Sequence, residues 1–240
     1  GSEMCIRDRY KRVKIGLYSA GLQTYWAQFE GLKERLDGYN AFLAEKLSAV
    51  GDVYNFGFVD TEAKGSAAGE YFRENGVDII FAHSATYFTS SCILPVHQTC
   101  CVPVVFLNLQ PTAEMNYAAS GTGEWLAHCV ACPIPEVSNA FERAGITTYF
   151  INGLLGLEET PAISLADENT ATRPEAVHAW KEIQEWILAA KIRKNLSGSR
   201  FGFLGGYYSG MLDMYSDFTL IQSKTCLLYT SPSPRDRSLS

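Results

Sequence analysis

The chain has 240 residues, 47% of them hydrophobic, and sets 20 Lys plus Arg against 26 Asp plus Glu for a formal net charge of -6. That is material for one large or two modest cored domains, and no basic block is long enough to track a phosphate backbone, which argues against a nucleic-acid partner. No run of 18 apolar residues occurs and the first residues lack an apolar signal segment, so no membrane partner and a cytoplasmic location are expected.

The two ends stand apart from the rest. Gly1 to Arg9 (GSEMCIRDR) has no periodicity, and Thr225 to Ser240 (TCLLYTSPSPRDRSLS) is a Ser/Pro/Arg mixture resembling translated sequencing adapter. Residues 1–12 and 225–240 are therefore read as tails foreign to the fold, which implies a natural protein continuing beyond about Lys224.

Val13 to Val50 opens the folded part as a strand, a long connection and an amphipathic helix. Val13, Ile15 and Leu17 lie in a short apolar run suited to a central strand covered on both faces. Leu32, Leu36, Tyr39, Leu43 and Leu47 recur as the stripe of a helix lying on a sheet. Between them, Ser19 to Phe29 carries Gln23, Tyr25, Trp26 and Gln28. Ligand sites in such folds lie beyond the carboxyl ends of strands, so this connection is a candidate binding loop.

Asp52 to Val59 predicts the second strand, Thr61 to Asn75 a helix closed by Asn75-Gly76, and Val77 to Ala82 a third, strongly apolar strand. A polar burst follows directly: His83, Ser84, Thr86, Tyr87, Thr89, Ser90 and Ser91. Ile93 to Thr99 predicts a short helix, and Val102 to Leu107 a fourth strand with Pro103 near its start. Gly121 to Ala144 reads as helical, with Pro133 and Pro135 either kinking one helix or separating two. Ile146 to Ile151 predicts a fifth strand and Pro174 to Leu196 a second strong helix. Alternation of this kind gives a doubly wound parallel α/β sheet, flavodoxin-like or Rossmann-like, over residues 13–198. Arg200 to Leu204 and Met211 to Gln222 then read as the beginning of a second α/β domain over residues 199–224.

The nucleotide motifs of such folds are missing. Gly21-Leu22-Gln23 stands where a Walker loop needs Gly-Lys-Ser/Thr, and no GxGxxG occurs. Amides and flat rings at Gln23, Tyr25, Trp26 and Gln28 suit a hydroxyl-bearing ligand better than a phosphate, unless Tyr25 and Trp26 only cover the sheet edge. His83 and Thr86 in the third-strand connection complete the candidate substrate-binding set. No GxSxG elbow and no HExxH pair is present. His128-Cys129-Val130-Ala131-Cys132 offers three soft ligands short of a fourth, or a redox CxxC, or a packed segment. The seven cysteines, Cys5, Cys92, Cys100, Cys101, Cys129, Cys132 and Cys226, are odd in number and read as free thiols. Glu124, Glu136, Asp213 and Asp217 are carboxylates without a partner assignable by spacing, so no catalytic residue and no metal ligand is assigned on this chain.

Lys14 to Val50, Val102 to Pro111 (VPVVFLNLQP), Thr122 to Gly145, Trp180 to Leu196 and above all Ser199 to Gln222 (SRFGFLGGYYSGMLDMYSDFTLIQ) resemble the N-terminal part of the L-arabinose isomerase and L-fucose isomerase superfamily, closest to its arabinose-isomerase-like branch. The resemblance implies an intracellular aldose–ketose isomerase that uses Mn2+ or another divalent metal and assembles as a homo-oligomer, often a hexamer. It also implies that two glutamates and two histidines, all later than the end of this chain, hold the metal and move the proton through an enediol. On that reading the chain is a fragment inactive by itself. The loop after the first strand would face the sugar, with Gln23 matching a pocket glutamine. Two departures stand out: His83-Ser84-Ala85-Thr86 lacks the Ser-Pro of bacterial relatives, and Gly206-Tyr207-Tyr208-Ser209-Gly210 replaces a His-Thr-Tyr-Pro-Gly text. The alternative is a sugar-binding or oligomerisation domain with no catalytic role.

Overall fold

Every strand of the main sheet runs parallel to its neighbours, in the order β2-β1-β3-β4-β5. The structure is a computed structural model that describes residues 12–159, 169–197, 199–202, 217–225 and 228–230. The elements in chain order are β1 (Lys14–Ala20), α1 (Leu32–Ser48), β2 (Asp52–Val59), α2 (Glu62–Asn75), β3 (Ile79–Ser84), α3 (Ser90–Thr99), β4 (Val104–Gln110), α4 (Thr122–Leu126), α5 (Ile134–Arg143), β5 (Thr148–Leu154) and α6 (Pro174–Ser197). A short 3-10 turn over Gln23–Tyr25 interrupts the β1–α1 connection.

The central strands β1, β3 and β4 are buried almost throughout, as their apolar runs require when helices cover both faces. Alternation divides their side chains. Tyr18, Ile80, Ala82, Val104 and Phe106 join Phe72 of α2, Val96 of α3 and Phe141 of α5 in one core. On the opposite face Leu36 and Leu43 of α1 and Ile183 of α6 are buried, and the rings of Phe42 and Trp180 bring α1 and α6 together with centroids 6.4 Å apart. Helices on both faces of an open parallel sheet make the fold doubly wound, with the flavodoxin strand order and its switch point between β1 and β3.

Two local features shape the site. The β1–β2 register shifts between Leu17 and Tyr18, so that Leu17 pairs with Asn55 and Tyr18 with Gly57, leaving Phe56 as an extra residue. Gly57 takes φ 84° there, a conformation L side chains resist, and its N–H donates to Asn55 Oδ1 at 2.9 Å. The second feature is the length of β3. His83 and Ser84, expected to start a loop, are its last two residues and are buried. They stay in the sheet because partners satisfy them: Ser19 Oγ for His83 and the Val130 carbonyl for Ser84.

Within residues 121–144 two short helices are separated by residues 127–133, so Pro135 falls in the first turn of α5, where a missing N–H costs nothing. The compact unit carrying this sheet runs from Arg12 to Leu188. Further on, β6 (Arg200–Gly202) and β7 (Leu228–Thr230) pair in parallel and α7 spans Phe218–Thr225. Most of the Ser199 to Gln222 text, including Gly206 to Gly210 and Asp213, lies outside the described residues, as does the N-terminal tail.

Candidate functional site at the carboxyl edge of the sheet

Because all five strands are parallel, the connections after β1, β3 and β4 emerge on one edge. Their electrostatic contacts show that they meet. The Tyr25 phenol is raised above its ordinary pKa by burial first, then by Cys129 and Tyr87, which ties the first connection to those after β3 and β4. Tyr25 also meets Phe29 edge to face, with centroids 5.9 Å apart.

Trp26 is held firmly. Its Nε1 donates to Asp60 Oδ2 at 2.7 Å, its ring meets Phe58 edge to face at 5.6 Å, and it lies so close to Gly21 that a Cβ there would stand 2.8 Å from the indole. Lys64 completes the cluster, its Nζ 2.7 Å from Asp60 Oδ1. Gln23 and Gln28 are exposed, and Gln28 turns back to donate to the Thr24 carbonyl at 2.9 Å. The two glutamines thus lie on the outer side of the loop, Trp26 on its inner side.

His83 and Thr86 lie deeper. His83 is 1% exposed and Thr86 fully buried. Ser19 on β1 stands opposite His83 on β3, and Ser19 Oγ lies 2.9 Å from His83 Nδ1. Asn40 of α1 donates its Nδ2 to Ser19 Oγ at 2.8 Å, and Asn55 donates its Nδ2 to Asn40 Oδ1 at 2.6 Å. Burial pushes the His83 imidazole down to about 3, so it is neutral. Its Nε2 and the Thr86 hydroxyl have no hydrogen-bond partner, and neither has the buried Tyr39 hydroxyl on α1.

A second polar group lies beside this one. Arg35 and Glu124 form a bidentate pair, one bond at 2.8 Å between Nη2 and Oε1, which holds the Glu124 carboxyl below its usual range. Both charges reach Tyr39, whose phenol burial pushes up to about 12. His128 donates Nδ1–H to the Glu124 carbonyl at 2.8 Å, which leaves Nε2 to accept from the Thr112 hydroxyl at 3.0 Å. Both ring nitrogens are therefore engaged. Cys129 is buried and hydrogen-bonded to Cys132, with its thiol pushed up to about 12 by burial first and then by Cys132. This arrangement suits a packed segment rather than a ligand set or a reactive thiolate. Glu136 has a structural task as well: it accepts from the Ser90 N–H at 3.0 Å, at the start of α3, and from its hydroxyl.

Ser19, Asn40, Asn55, Arg35 and Tyr39 were not among the sequence-based site residues. Three of them broke a pattern: Ser19 is a hydroxyl in an apolar strand, Asn40 a polar side chain in the inward stripe of a helix, and Asn55-Phe56-Gly57 a bulge text, whereas Tyr39 belongs to the regular stripe and Arg35 carries no local signal. Among the described residues no group of three or more His, Cys, Asp or Glu could hold a metal ion; the sequence resemblance assigns the manganese ligands to residues outside this chain. Among the described residues, too, no helix is long and apolar enough to cross a membrane.

No protein-family model and no curated protein matches the chain. Among solved structures it is similar to a protein of Bacteroides fragilis classed as an acylhydrolase, at 9% identity over 80% of this chain and 97% of that one, with a TM-score of 0.34. It is also similar to a protein of Listeria monocytogenes classed as a UDP-N-acetylglucosamine 2-epimerase, at 11% identity over 94% of this chain and 65% of that one, with a TM-score of 0.26. At these identities and scores neither likeness bears on the activity of this chain.

Proposed function

We propose that this chain binds a neutral, hydroxyl-bearing small molecule at the carboxyl edge of its sheet, as the binding and assembly domain of an aldose–ketose isomerase of the L-arabinose or L-fucose class. The observation that carries the binding half is the set of uncharged buried groups without partners at that edge, His83 Nε2, Thr86 Oγ1 and Tyr39 Oη. Each unpartnered buried donor costs about 1–3 kcal/mol, and a ligand hydroxyl, both donor and acceptor, satisfies any of them. A phosphate fits less well, since Arg35 is already neutralised by Glu124 and the β1–α1 connection lacks a phosphate loop. The exposed Gln23 and Gln28 and the Tyr25 ring form the outer part of the same site.

The isomerase half rests on the sequence resemblance alone. In that reading this chain's residues bind and orient the sugar, while proton transfer and the metal belong to residues outside it, and homo-oligomer assembly brings the two parts together. The test is an amide NMR titration of the chain with L-arabinose, L-fucose, L-arabinitol and arabinose 5-phosphate. The neutral compounds should shift amides in residues 20–29 and 84–90, and the phosphate should bind no more tightly. Absence of shifts, or a phosphate bound tenfold better, would overturn the reading. Light scattering checks the assembly: a monomer at all concentrations removes that part of the proposal.

A further inference from the structure

The hydrogen bonds beside His83 determine which of its ring nitrogens carries the proton. The backbone N–H of Gly57 can only donate, and it binds Asn55 Oδ1. Asn55 must then present its amide nitrogen to Asn40, Asn40 its own nitrogen to Ser19 Oγ, and the Ser19 hydroxyl is left to donate. Its partner is His83 Nδ1 at 2.9 Å. The opposite assignment, with Nδ1–H donating to Ser19, would bury the Ser19 hydrogen without an acceptor and leave Nε2 as a bare lone pair. The proton therefore sits on Nε2, and Nε2 is the atom without a partner.

The other buried histidine shares the unpartnered nitrogen but not the setting. His97 of α3 shares a hydrogen bond between its Nε2 and Tyr18 Oη at 2.9 Å and also has a spare ring nitrogen, Nδ1. It lies among the rings of Tyr18, Phe106 and Phe141, with centroids 5.3–6.3 Å away, in the apolar core between sheet and helices. His83 instead stands at the carboxyl end of β3, beside the switch point where doubly wound folds take ligands. Thr86, three residues on, has an unpartnered hydroxyl.

We infer that His83 is a fixed hydrogen-bond donor of the binding site, its Nε2–H held by the Ser19–Asn40–Asn55 chain for a hydroxyl or carbonyl oxygen of a bound polyol or sugar. This rests on the neutral-ligand reading above and gives it a specific contact. The donor discriminates in favour of oxygen acceptors and against ammonium groups, because a neutral N–H offers a cation no lone pair. Ser19 and Asn40 are positioning residues, acting through His83.

Histidine ring 15N NMR of the full chain tests this, with L-arabinitol as the probe. His83 should show the Nε2–H tautomer at neutral pH, and its Nε2 signal should move on addition of arabinitol. Ser19→Ala frees the tautomer and should weaken arabinitol about tenfold while shifting the ring signals toward a mixture. His83→Gln, which keeps a donor near the same place, should bind better than His83→Leu. An Nδ1–H tautomer, or arabinitol binding that leaves His83 Nε2 unmoved and is unaffected by Ser19→Ala, overturns the inference and leaves the neutral-ligand reading standing. Arabinitol that shifts nothing in the chain overturns both.

Discussion

Two buried histidines give this protein a defined response to acid. His83 and His97 are each pushed down to about 3 by burial, whereas in the unfolded chain they take up a proton near 6.5. Below that pH the unfolded state binds protons that the folded state refuses, so stability is full above about pH 6.5 and falls as the pH drops toward 3. Each group contributes a slope of about 1.4 kcal/mol per pH unit once the unfolded imidazole is protonated. Urea midpoints at pH 7, 6 and 5 should fall in sequence. The pair Tyr18→Phe with His97→Leu removes both partners of one buried bond, a change that is close to neutral when shapes match, and should reduce the slope by one proton. An unchanged slope would mean that His97 is protonated in the fold.

The elements owe their packing to a few close approaches. A Cβ on Gly65 of α2 would lie 2.1 Å from the Cys92 carbonyl oxygen of α3, and one on Gly69 would lie 2.7 Å from Thr99 Cβ. The two helices touch through backbone, which no rotamer change can relieve. Gly65→Ala should therefore cost about 1–3 kcal/mol in urea unfolding, and a neutral result would mean the helices can part freely. The start of α3 depends on Glu136 of α5, whose carboxylate accepts from Ser90 where the helix dipole favours negative charge. Glu136→Ala should cost about 1 kcal/mol, while Glu136→Gln should retain part of that because the amide oxygen still accepts. Equal losses for both would assign the effect to charge alone.

At this scale the sequence was legible where structure is local. Apolar runs marked the strands, the Leu32 to Leu47 stripe marked α1, and Asn75-Gly76 marked the end of α2. His83 and Ser84 were misread as loop because polar residues after a buried strand satisfy themselves either in water or across the sheet, and only the tertiary partners Ser19 and Val130 decide which. The Arg35–Glu124 pair joins residues 89 positions apart, for which no local pattern exists. Gln23, Tyr25, Trp26 and His83 lie at the carboxyl edge, a position legible because it follows from strand order alone; the Asn40 and Asn55 bonds behind Ser19 were not legible.

For the molecule as a whole, the sheet, the candidate site and the helices of both layers up to the middle of α6 fall within Arg12 to Leu188, and α6 runs on to Ser197. A cut at Leu188 would remove the last turns of α6, whereas a cut after Ser197 leaves every element of the doubly wound sheet entire. The piece 12–197 should therefore unfold in one cooperative transition, with a urea midpoint equal to that of the full chain. It should also retain the arabinitol response at His83, since the named residues of that site, Ser19 to Glu124, all lie inside it. On the proposed reading, in which proton transfer and the metal belong to residues outside this chain, neither piece nor full chain should form ketose with manganese and L-arabinose. A broad or shifted transition for 12–197 would show that the segment after Ser197 supports the sheet. Ketose formation by either would place catalytic groups on this chain and overturn the proposal that it is a binding domain.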